Sequence, residues 1–239
     1  GNNSALCIHG NSKATEFMIP PLPYQWIIFD AVGTLIHPTP SVAEAYWSIG
    51  RNFGSQLSLS EVSTRFSRQF RESFSQGDSA EFYSSEQIEL DRWRRIVDRV
   101  LDDVEDPDGC FGRIHHHFSR PEAWSVFDDV AEVLLSLTET GYRIAVGSNF
   151  DVRLHEVCAG LPQLQPVEAA YASAELGYRK PAVGFYRALS ERLNCQPEAM
   201  LMIGDHLEND VHGARSAGLS AFLIDRENVS QSETHSLQT

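Results

Sequence analysis

Four apolar runs that each stop on a polar residue do most to constrain this chain. They are Trp26 to Asp30 (WIIFD), Tyr142 to Ser148 (YRIAVGS), Ala199 to Asp205 (AMLMIGD) and Leu219 to Asp225 (LSAFLID). Continuous rather than alternating hydrophobicity means strands covered on both faces, which is the signature of a buried parallel sheet. Glu168 to Ser173 (EAAYAS) is a weaker fifth run. Helical patterns fill the gaps. Val130, Val133, Leu134 and Leu137 share one face, with Asp129 and Glu132 spaced as a capping box and Gly141 as a stop. Pro181 suits a first helical position, with Phe185, Leu189 and Leu193 continuing that helix. After Asp205 a short helix runs through Ala214 and Ala217 to Gly218. Strands alternating with helices predict an α/β fold, a doubly wound (Rossmann-like) parallel sheet whose ligands bind beyond the carboxyl ends of its strands.

The interval 38–122 breaks that alternation. It holds helical stripes instead: Val42, Tyr46, Ile49 and Phe53; Val62, Phe66, Phe70 and Phe74; Ile88, Trp93, Ile96, Val97 and Val100; Phe111, Ile114 and Phe118. An inserted α-helical cap is expected there, splitting a core of residues 24–37 and 123–226. Residues 1–23 read as an irregular N-terminal extension or part of a tag, and 227–239 as a tail. A length of 239 residues suits one core plus such an insertion.

The formal charge of −14 is carried by acids scattered along the chain, so nucleic acid and anionic membranes are poor partners. Cys7, Cys110, Cys158 and Cys195 form no C-x-x-C pair, which argues against a zinc ribbon and suits a reducing cytoplasm. Residues 1–23 lack the apolar stretch of a secretory signal, and no run approaches a membrane span. A cytoplasmic protein acting on a small molecule is expected.

The strand ends supply a carboxylate (Asp30), a hydroxyl (Ser148), a cation (Lys180) and a carboxylate pair (Asp205, Asp210). Four stretches, Asp30-Ala31-Val32-Gly33-Thr34-Leu35, Ser148-Asn149, Arg179-Lys180-Pro181 and Gly204-Asp205-His206-Leu207-Glu208-Asn209-Asp210, occur in an order and spacing that resemble the haloacid dehalogenase superfamily, in the branch with a helical cap after the first motif. That resemblance implies a phosphatase-like hydrolase. In it Asp30 is a nucleophile forming an aspartyl-phosphate, Ser148 binds a phosphoryl oxygen, and Lys180 neutralises charge. It also implies Mg2+ held by Asp30, the Val32 carbonyl and Asp205, with Asp210 as a further ligand or support. Thr34 and Asn149 join the substrate side of the site.

The chain departs from that pattern at Val32. Most phosphatases of the family carry there a second Asp that protonates the leaving group, and losing such an acid commonly costs about 10² to 10⁴ in rate. A substrate with a good leaving group, such as an acyl phosphate, would tolerate the loss; His37 or His206 are candidate substitutes. The first motif also resembles metal-independent 2-haloacid dehalogenases, where halide needs no proton. A weakly active or inactive binding or regulatory protein is the remaining alternative. A phosphonate hydrolase would need a cap lysine, and no lysine lies between Lys13 and Lys180. His115, His116 and His117 are consecutive and so point in different directions on a helix, as a polar stripe and not a metal site.

Overall fold

The computed structural model of the chain describes residues 24–75 and 82–226; the expected N-terminal extension with Cys7 and the expected C-terminal tail lie outside them. Strand β1 (Trp26–Phe29) is followed by β2 (Ile36–Pro38) and by helices α1 (Val42–Asn52), α2 (Leu59–Ser75), α3 (Glu86–Val100) and α4 (Pro107–His117). Then come β3 (Trp124–Val126), α5 (Val130–Glu139), β4 (Arg143–Ser148), α6 (Arg153–Gly160), β5 (Ala169–Ala172), α7 (Ser173–Leu176) and α8 (Val183–Leu193). The chain closes with β6 (Met200–Gly204), a π-helical turn (Leu207–His212), α9 (Gly213–Ser216) and β7 (Ser220–Leu223).

Five strands form a parallel sheet in the order β5-β4-β1-β6-β7. All four residues of β1 are buried, as its unbroken apolar run requires. Successive side chains leave on opposite faces. Ile27, Phe29, Ile144 and Val146 join one core with Leu134 and Leu154, while Trp26, Ile28, Ala145 and Met202 join another with Phe185 and Leu189. The register places Phe29 opposite both Val146 and Ile203, so β1, β4 and β6 end level. The Asp30 N–H then donates to the Ile203 carbonyl at 2.9 Å. Because strand order reverses beside β1, a crevice opens at these three strand ends.

Two short strands were not legible in the sequence. β2 pairs antiparallel with β3, Ile36 opposite Val126 and Pro38 opposite Trp124, and this ribbon ties together the two chain crossings on either side of α1–α4. Three residues are too few to show a period. The α2 stripe stacks as expected for residues four apart, with ring centroids of Phe66–Phe70 at 5.6 Å and Phe70–Phe74 at 4.5 Å.

Two local expectations are corrected. The Asp129–Glu132 capping box does not form: Asp129 already has helical backbone angles, and its carboxylate accepts from Arg226 at 2.6 Å. Genuine capping boxes lie in the insertion instead, at Ser41 with Glu44 and at Ser58 with Glu61. Pro181 is not a first helical residue, because α8 begins at Val183 after an extended Ala182. Lys180 and Pro181 instead form a turn closed by the Ala182 N–H donating to the Arg179 carbonyl at 2.9 Å, with Lys180 held against Asn149.

Ile28 is fully buried in the central strand, so Ile28→Ala is expected to lower unfolding free energy by about 2–5 kcal/mol. Ser85, whose hydroxyl accepts the Ile88 N–H at the start of α3, is expected to cost about 1 kcal/mol on change to Ala. Urea denaturation of both variants checks the ranking.

Candidate active site

The crevice is organised around one buried ammonium. Lys180 Nζ donates to Asp30 Oδ1 at 2.7 Å, to Asp210 Oδ1 at 2.6 Å and to the Gly147 carbonyl at 3.1 Å, using all three of its protons. Lys180 and Asp210 are 2% and 1% exposed, so neither charge is solvated by bulk water. Asp205 is exposed at the mouth, and its ligand oxygen lies with those of Asp30 and Asp210 within a 4.8 Å span. Three carboxylates against one ammonium leave a local charge of −2.

Electrostatics follow from that crowding. Burial pushes the Asp30 carboxyl up to about 6; Lys180 opposes the rise, and Asp210 and Asp205 add to it. Burial alone would pull the Lys180 ammonium down, but Asp30 and Asp210 outweigh it and hold Lys180 above the ordinary lysine value. The donor set fits a divalent cation: hard carboxylate oxygens, a matching excess charge, and room made by Gly33. Gly33 has a positive φ of 87°, and a Cβ there would come within 2.3 Å of the Asp205 carboxylate, so only glycine allows that approach.

Surrounding residues hold these groups in place. Asn149 accepts from the Lys180 N–H at 2.8 Å and donates to the Lys180 carbonyl at 3.1 Å. Its amide, expected on the substrate side, is thus engaged with the lysine backbone and positions it. Thr34 Oγ1 donates to Asp205 Oδ1 at 3.1 Å, steadying the first loop against the fourth. Arg226 was not singled out by sequence; its guanidinium donates twice to the Thr34 carbonyl, at 2.6 and 3.1 Å, while stacking over Phe127. Tyr186, also missed, is fully buried and donates to the Asn209 carbonyl beside Asp210. Neither carries a local motif, since each acts on a residue far away in the chain.

Ser148 ends β4, buried, and its hydroxyl makes no hydrogen bond among the described residues. It does not cap α6, which starts at Arg153, so it is free to meet a ligand oxygen. Each of the two candidate proton donors has its Nδ1 engaged, and its Nε2 makes no hydrogen bond among the described residues. His37 packs against Phe127 and pairs with Thr39, and His206 Nδ1 accepts the Asn209 N–H, capping the π-helical turn. The three consecutive histidines diverge: His116 is exposed, His117 is half-buried, and His115 lines a cleft between α1, α3, α4 and the loop after β4. Burial lowers the His115 and His117 pKa values, and no metal-ligating cluster besides the three aspartates occurs among the described residues. None of those residues forms a helix long and apolar enough to cross a membrane.

The raised Asp30 value carries a sign. Between 3.8 and about 6 the folded chain retains a proton that the unfolded chain releases, so metal-free stability falls as pH rises through that window. The loss is at most about 3 kcal/mol. Asp30→Asn is expected to flatten this slope, as read from urea midpoints in chelator at pH 4 and pH 6.5.

Comparison with known proteins agrees with this geometry. Residues 24–218 match the family model described as haloacid dehalogenase-like hydrolase. The chain is 27% identical over 219 residues to haloacid dehalogenase-like hydrolase domain-containing protein 3 of Danio rerio, covering 86% of this chain and 87% of that one. It is 28% identical over 127 residues to the glyceraldehyde 3-phosphate phosphatase of Methanothermobacter thermautotrophicus, covering 53% and 56%. The structure of L-2-haloacid dehalogenase from Xanthobacter autotrophicus superposes with a TM-score of 0.65 at 18% identity, over 87% of this chain and 81% of that one, a likeness of fold. With a model matching most of its length and the family's charged residues gathered at one crevice, the chain belongs to the haloacid dehalogenase-like hydrolases.

Proposed function

We propose that this hydrolase is a magnesium-dependent phosphatase acting on a small phosphorylated metabolite through an aspartyl-phosphate on Asp30. The observation that carries this reading is the buried Lys180 ammonium shared by Asp30 and Asp210, with Asp205 within reach and an excess charge of −2. Displacing halide from carbon needs no such charge, whereas a phosphate dianion meeting a carboxylate requires cations. The partial likeness to a glyceraldehyde 3-phosphate phosphatase supports the same chemistry.

Asp30, Asp205, Asp210 and the Val32 carbonyl would hold Mg2+, which when bound neutralises phosphoryl oxygens as a Lewis acid. An Asp30 oxygen attacks phosphorus as the bond to the leaving oxygen breaks. Lys180 offsets the charge of both reacting groups and fixes the nucleophile's direction. Ser148 donates its free hydroxyl to a phosphoryl oxygen. Water then attacks the aspartyl-phosphate, releasing phosphate and restoring the Asp30 carboxylate. Val32 cannot supply a proton to the leaving oxygen, and its half-buried side chain packs with the apolar core. That substitution is the one observation favouring the second reading, a metal-independent dehalogenase.

Turnover of a phosphate panel is expected to require Mg2+ and to vanish in Asp30→Asn. Chelator-resistant release of halide from 2-haloacids, with no phosphate release, would replace this reading with the second. Val32→Asp is expected to raise phosphomonoester kcat by about 10² or more, the lower range for a positioned acid. A fall in kcat would mean that protons reach the leaving group by another path. In calorimetry Mg2+ alone is expected to raise Tm, and the rise is expected to disappear in Asp205→Asn.

A further inference from the structure

The cleft between α1, α3, α4 and the loop after β4 encloses about 70 Å³. Its floor includes Asn149 and Phe150, the two residues after Ser148, so it begins where the phosphoryl site ends. Trp93, Val97, Phe111, Ile114 and Phe118 make its walls apolar. The lining has one charged side chain, Arg153, whose guanidinium is already held by both carboxylate oxygens of Asp151, at 2.8 and 2.7 Å. Three polar side chains of the lining, Tyr46, His115 and Trp93, make no side-chain hydrogen bond among the described residues. Tyr46 is 1% exposed, and its hydroxyl makes no hydrogen bond among the described residues. A hydroxyl at the cleft wall with no protein partner is placed to donate to an oxygen supplied by a ligand.

From these features we infer that the substrate is a short-chain acyl phosphate, its aliphatic chain of about three or four carbons lying in the cleft and its carbonyl oxygen accepting from Tyr46. The inference rests on the phosphatase reading and narrows it. Three constraints meet in that compound class. A volume of 70 Å³ is about half that of an apolar cavity that admits benzene (~150 Å³), which limits the group to a few carbons. With only Tyr46, His115 and Trp93 offering free polar atoms among apolar walls, most hydroxyls of a sugar phosphate would go without partners. Val32 leaves no acid beside Asp30, and a carboxylate departs from phosphorus with the electron pair and needs no proton.

The reaction balances without a further reagent. Asp30 oxygen forms a bond to phosphorus, the acyl C(O)O–P bond breaks, and the carboxylate leaves. Water then cleaves the aspartyl-phosphate, so acyl phosphate and water yield carboxylate, phosphate and a proton.

The test is kcat/KM for acetyl, propionyl, butyryl and octanoyl phosphate beside glucose 6-phosphate, with Mg2+. Values are expected to rise about fourfold per added methylene as far as butyryl, the worth of one buried CH2, and to drop at octanoyl. Glucose 6-phosphate is expected at least about tenfold below butyryl phosphate, the least penalty for leaving one or more of its hydroxyls unpaired in the cleft. Tyr46→Phe is expected to lower the butyryl value about fivefold, the worth of one hydrogen bond. Val97→Phe, which fills the cleft, is expected to reverse the order of acetyl and butyryl; Val42→Leu serves the same purpose if the first variant does not fold. Asp30-dependent turnover that is flat across chain length, or faster on glucose 6-phosphate, overturns the acyl inference while leaving the phosphatase reading intact. No Asp30-dependent release of phosphate from any compound overturns both.

Discussion

The structure depends on a lysine ammonium placed between two buried aspartates. Without Lys180, Asp30 and Asp210 would be like charges sharing a crevice largely closed to water; without the aspartates, burial would strip the lysine of its charge. Each partner therefore requires the other, and removing one leaves an uncompensated buried charge, which commonly costs about 3–5 kcal/mol. Holding this arrangement to hydrogen-bond distance is what the level ends of β1, β4 and β6, the Asn149 clamp and the Gly33 turn accomplish together. Asp30 keeps its side chain near the mouth, 11% exposed, as the nucleophile role proposed for it requires.

A second constraint is the absence of an acid at Val32, and the cleft bears on it. The walls of the cleft offer little to a polar leaving group, and its lone charged residue is neutralised by Asp151. The absence of an acid at Val32 and the apolar walls of the cleft support one proposal, a leaving group that departs as a stable anion and carries an apolar chain. The inserted helices thus do more than cover the site. Tyr46, Val97 and Ile114 bring them to the wall of the cleft on which the acyl-phosphate proposal rests, and the β2–β3 ribbon ties together the two ends of the insertion.

Some residues also show why motif and geometry part company. Asn149 follows Ser148 and reads as a ligand-binding neighbour, yet both ends of its amide serve the Lys180 backbone. Asp129 has the spacing of a helix cap and instead receives Arg226, which lies 97 residues further along the chain. Arg226 and Tyr186 steady the Thr34 and Asn209 carbonyls and carry no local pattern at all. For Asn149 and Asp129 a partner distant in the chain wins over the local one, because a charged or buried partner offers more than a solvent-exposed backbone amide.

By itself the sequence determined the five strands of the sheet, the helical stripes between them and the charged residues at the strand ends. Those properties follow from unbroken apolar runs, from helical stripes and from the rule that parallel strands gather their carboxyl ends. The five-strand parallel sheet and the gathering of Asp30, Lys180, Asp205 and Asp210 agree with that reading. Only the tertiary structure decided that one ammonium satisfies two aspartates, that His37 packs against Phe127, and that Tyr46 faces a small apolar cleft without a protein partner. The pairing of Lys180 with Asp30 spans 150 residues of chain, and no local periodicity encodes a distance between residues that far apart.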